Sequence, residues 1–106
     1  MISDWVVTEY SAALSIKLRT QQLIPEDRAE ALAAFSRLCT EALTILPVAT
    51  SQFRAAALLA DQYALGLRAG DALHVAVCAD QGATLCTLDR RLAQVGGACG
   101  VKIILV

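Results

Sequence analysis

The sequence predicts an α/β fold in which helices pack on a mostly parallel sheet. Two observations of composition and one of order carry this. Hydrophobic residues make up 57% of the 106 residues, and much of that share is Ala and Leu, which favour helix. Val and Ile cluster in short runs, which favour strand. In the back half helix and strand alternate, and the later strand runs are apolar on successive residues, as in strands covered on both faces. The length allows one domain at most, expected to span residues 1–106.

The first helix is expected from Trp5 to Leu18, where apolar residues recur at helical spacing, with Ser3 or Asp4 as its cap. Pro25 stops that element and opens the next, over residues 25–42, with Glu26 and Asp27 in the first turn where carboxylates complement the helix dipole. Ala31, Leu32, Phe35, Leu38 and Cys39 form its apolar stripe, read as core. Residues 43–48 are partly β-branched and bounded by Pro47, and read as a strand. Thr50 or Ser51 caps a third helix over residues 52–65, with Gly66 as terminator. A fourth helix is expected over residues 71–80 and closes at Gly82. Residues 83–88 read as a second strand, residues 89–95 as a short helix ended by Gly96 and Gly97, and residues 101–106 as a third strand.

Charge and cysteine usage narrow the function classes. The formal net charge of −1 excludes a basic nucleic-acid arm, so any basic patch must be local. Lys17, Arg19, Arg68, Arg90 and Arg91 are its candidates. The four cysteines form no C-x-x-C pair, and none has zinc-finger spacing to the single His74. Reduced, mostly buried thiols are expected, with no leader ahead of them and a cytoplasmic location. No apolar run reaches the roughly 18 residues that a membrane span needs.

Ligands in open α/β sheets bind beyond the carboxyl ends of the strands. Asp89 follows the strand run 83–88 directly, Asp71 opens a helix after a glycine, and Glu9 lies within the first helix. Carboxylates from three separate elements can converge, and converging carboxylates suit a hard divalent ion. Such an ion generates hydroxide and stabilises charge on a phosphodiester. Asp71 and Asp89 equally suit helix N-caps, and Glu9 suits a solvated helix face. His74, one turn after Asp71, reads as a packed residue more than a base. Trp5 and Tyr10 read as core or interface more than base-stacking platforms. Arg90 and Arg91 are either phosphate contacts or a solvated face.

Three segments together resemble a known family. Residues 3–14 (SDWVVTEYSAAL) are similar to the segment around the second acid of PIN-domain toxins of the VapC type. Residues 67–76 (LRAGDALHVA) resemble their A-x-D-A-L-H-x-A segment, and residues 83–93 (ATLCTLDRRLA) their T-x-D segment, in the same order and at agreeing separations. The resemblance implies a PIN-like α/β/α sandwich and cleavage of RNA with Mg²⁺ or Mn²⁺. It implies that Glu9, Asp71 and Asp89 form the catalytic, metal-holding cluster, with Thr87 as a supporting hydroxyl. It also implies a small cognate antitoxin as inhibitor, and a homodimer.

One departure qualifies this. The family begins with a strand in the middle of the sheet that ends in an Asp, and nothing near Met1 supplies it. A misassigned start, a degraded remnant and a strand supplied by a partner are the three explanations. On charge count, a chain lacking that acid is expected to be a weak or inactive nuclease. The alternative is a catalytically dead remnant that binds a partner protein or itself. A phospho-acceptor receiver domain is poorly supported, because neither its acidic pair nor its acceptor position is found.

Overall fold

A computed structural model describes residues 1–106, which divide into two compact units, Met1–Pro47 and Val48–Val106. In the first unit a short strand, β1 (Ile2–Ser3), leads directly into α1 (Asp4–Arg19). α2 (Pro25–Glu41) follows, then β2 (Ile45–Leu46). β1 and β2 pair in parallel, Ile2 opposite Ile45 and Ser3 opposite Leu46. The two helices predicted for this unit are present within a residue of their expected ends. Ser3 takes the N-cap position of α1 but makes no capping bond with its side chain, and its Oγ is buried without a partner. Pairing with β2 holds Ser3 extended, so backbone register and not a side-chain cap sets the start of α1. Tyr10 on α1 stacks on Phe35 of α2, with ring centroids 4.1 Å apart. Both residues therefore belong to the packing of this unit, as the sequence reading favoured.

The second unit holds α3 (Thr50–Asp61), a 3-10 turn (Tyr63–Leu65), α4 (Ala69–Gln81), β3 (Leu85–Thr87), α5 (Arg90–Cys99) and β4 (Ile103–Leu105). Gln52 pins α3 to α4. Its Oε1 accepts from the Ala49 N–H at 2.8 Å, and its Nε2 donates to Asp80 Oδ2 at 3.0 Å. At 3% exposure, its amide is satisfied at both ends instead of being left dry and unpaired. α4 is the buried helix of the unit: Ala72, Leu73, Val75, Ala76 and Val77 are all buried. Val75, Leu92 and Val101 form the core centre, with Leu59, Leu67, Leu85, Val95 and Ile103 packed around it.

Two expectations need correction. The helix expected over residues 52–65 ends at Asp61, and a separate 3-10 turn runs on to Gly66, which takes a left-handed φ of 67°. The expected stop at Gly96 and Gly97 is absent, and α5 continues to Cys99. A Cβ at Gly96 would lie 2.9 Å from both Ile103 Cγ1 and the Val101 carbonyl oxygen, so glycine lets the helix lie against β4. The strands are parallel, as expected: β1 with β2 in the first unit, β3 with β4 in the second. Within β3–β4, Leu85 pairs with Ile103 and Thr87 with Leu105.

The thiols are all free, as expected. None is fully buried, however: Cys39, Cys78 and Cys99 are half-buried and Cys86 is exposed. No helix is long and apolar enough to cross a membrane.

Candidate functional site

The carboxyl end of β3 and the first turn of α4 build the site in the second unit. The chain leaves β3 at Thr87, whose Oγ1 accepts the Asp89 N–H at 3.0 Å. That turn sets Asp89 at the N-cap of α5, where its Oδ1 accepts from the backbone N–H of Arg91 at 2.9 Å and of Leu92 at 3.3 Å. The capping role offered for Asp89 by sequence is therefore real. Thr87 supports Asp89 through its backbone, and Asp89 itself stays exposed.

Asp71 is placed differently. The N-cap of α4 is Arg68, so Asp71 stands in the first helical turn and does not cap. It is half-buried and lines a shallow depression of about 20 Å³ together with Leu65, Gly66, Leu67, Arg91, Leu92 and Val95. Arg91 crosses this depression: its Nη2 donates to the Gly66 carbonyl at 2.7 Å. Asp71 and Arg91 are thus brought to one depression, while Asp89 supports it from the start of α5. Gly66 was read by sequence only as a helix terminator. Its role as the seat for Arg91 links residues 25 apart, and no local pattern signals it.

Glu9 lies half-buried on α1 in the first unit, and His74 half-buried on α4; neither side chain is without a partner. Lys17 and Arg19 are exposed in the last turn of α1, where they complement the helix dipole. Arg90 is exposed beside Asp89. The resolved titration shifts fall on thiols. Burial, and then the neighbouring Cys86 thiol, push Cys78 above its ordinary range, and burial does the same to Cys99. Raised thiols stay protonated and poorly nucleophilic at neutral pH, which gives these cysteines a packing role.

In donor type the carboxylates fit a hard divalent cation. In arrangement they form no ready ligand set, because no three His, Cys, Asp or Glu side chains are grouped to hold an ion. Asp89 has one oxygen committed to the α5 cap.

Parallel strands alternating with helices, with an aspartate capping the helix after β3 and a second aspartate lining a depression on α4, define an α/β protein. The chain belongs to the PIN domain family, whose profile matches residues 1–98. The match takes in all three resembling segments and agrees with the five helices and short parallel strands. Its family function is nuclease-type in general terms. Neither the curated proteins nor the solved structures contain a match to the chain.

Proposed function

We propose that this chain is a divalent-metal-dependent endoribonuclease of the toxin–antitoxin PIN type, with slow turnover. The observation that carries the reading is the family match across residues 1–98, a span that includes Glu9, Asp71 and Asp89. Under this reading those three carboxylates hold Mg²⁺ or Mn²⁺, which supplies an activated water and charge neutralisation for phosphodiester hydrolysis. Thr87 keeps the turn that presents Asp89, and the half-buried Asp71 lines the depression beside Arg91. Slow turnover follows from the donor count. Three carboxylates, one of them also capping a helix, make a loose hold on an ion that demands near-ideal octahedral geometry.

The test is cleavage of single-stranded RNA by the purified chain with Mg²⁺, with Mn²⁺ and with chelator. Slow cleavage that needs the divalent ion and is lost in Asp71→Asn supports the reading. Cleavage that survives chelation or Asp71→Asn, or no cleavage at all, overturns it.

A second reading, a protein-binding or self-associating module without catalysis, is favoured by one specific observation. In the second unit Leu88, Ile104 and Leu105, at or beside β3 and β4, are exposed apolar residues, and an exposed apolar strand pairs readily with another chain. A small antitoxin protein or a second copy of the chain is the partner this reading expects. Light scattering that finds only monomer across a wide concentration range counts against self-association.

A further inference from the structure

We infer that Arg91, not Arg90, grips the phosphate backbone of the substrate strand at the depression that Asp71 lines; the identity of that strand as RNA rests on the nuclease reading above. The guanidinium is already seated before any ligand arrives, with Nη2 on the Gly66 carbonyl at 2.7 Å. Gly66 holds this carbonyl in a left-handed turn, and a Cβ there would come within 3.2 Å of Nη2. A guanidinium carries several N–H groups in a rigid fork, so one bond to Gly66 leaves others for a phosphate. Fixing an arginine on a ligand costs rotamer freedom. Here part of that freedom is lost in the free protein, so less is lost on binding.

Leu65, Leu67, Leu92 and Val95 flank the depression with apolar surface. It encloses only about 20 Å³, so a phosphate meets Arg91 at its mouth and not inside it. Asp71 in the same depression repels an anion, so a phosphate there needs a cation facing it, and Arg91 is the cation that lines it. Arg90 and Arg91 are both exposed, but only Arg91 lines the depression.

The experiment is fluorescence anisotropy of a labelled single-stranded oligoribonucleotide with the full chain in chelator, over a salt series. Arg91→Ala is expected to weaken binding about tenfold, uniformly across sequences, and to lower the log K against log salt slope by about 0.7. Arg90→Ala is expected to stay within about twofold of the parent. Arg91→Lys keeps the charge and therefore most of the slope, but loses the fork and part of the affinity. Gly66→Ala disturbs the seat while keeping Arg91, and covers the case in which Arg91→Ala folds poorly. No RNA binding by the parent chain, equal loss in Arg90→Ala and Arg91→Ala, or no loss in Arg91→Ala overturns the proposal. A matched DNA strand bound more tightly than RNA also overturns it. The two readings fail separately. RNA bound through Arg91 but never cleaved sinks the nuclease reading alone, and Asp71-dependent cleavage unaffected by Arg91→Ala sinks this one alone.

Discussion

Adjacent glycines in α5 are expected to respond to alanine with opposite signs. In an exposed helix interior, glycine to alanine is worth up to about 1 kcal/mol in favour of alanine. Gly97 meets that condition: it is exposed, and a Cβ there finds nothing within 4 Å. Gly97→Ala should therefore stabilise by about 0.5–1 kcal/mol. Gly96 is buried, and its Cβ would lie 2.9 Å from the Val101 carbonyl oxygen and 2.9 Å from Ile103 Cγ1. The isoleucine tip can turn aside, but the carbonyl belongs to the backbone entering β4. Overpacking of this kind costs about 1–3 kcal/mol, so the net effect of Gly96→Ala is a loss of about 1 kcal/mol after the helix gain. For a domain of this size that corresponds to a melting temperature roughly 4–8 °C lower, against several degrees higher for Gly97→Ala. Thermal melts followed by circular dichroism read both. Stabilisation of equal size at the two positions would refute the close approach of α5 to β4, and with it the placement of Asp89 and Arg91.

Three further outcomes follow from the same packing. Gln52→Ala removes a bond to the Ala49 N–H and another to Asp80, and should lower stability by about 1–2 kcal/mol in urea unfolding; an unchanged midpoint would show that the α3–α4 link contributes nothing. Val75→Ala empties the fully buried centre of the core and should cost about 2–3 kcal/mol, read in the same unfolding series. For the thiols, the folded-state pKa of Cys78 and of Cys99 is raised above the ordinary 9.0. Their contribution to stability is therefore fully present below that value and is lost as pH rises through the folded pKa. Melting temperature should hold steady through neutral pH and decline above about 9, and exposed Cys86 should be alkylated before Cys78.

The helical part of the fold was legible because its signals are local. Pro25 with Glu26 and Asp27 marks the start of α2, and the helical spacing from Trp5 marks α1. Asp89 was legible both as a helix cap and as a strand-end acid, and the structure shows the cap. β1 was not legible, because two residues are too few to show alternation. The continuation of α5 through Gly96 and Gly97 was hidden for a different reason. Glycine ends helices through its backbone freedom, but here it serves close packing against Ile103, a contact that only the fold creates. The same holds for the depression. Asp71 and Arg91 carried signals as individual residues, whereas Gly66 became part of the site only through a hydrogen bond across 25 positions.

The proposed metal-holding role of Glu9, Asp71 and Asp89 is tested most directly by calorimetric titration of the purified chain with Mn²⁺, with Asp89→Asn as control. Asparagine caps a helix about as well as aspartate, so this variant keeps α5 intact while removing the charge. Saturable binding in the parent chain, lost in Asp89→Asn at unchanged melting temperature, is the predicted result. No binding in the parent, or equal binding in both, would contradict the claim and leave association as the reading to pursue.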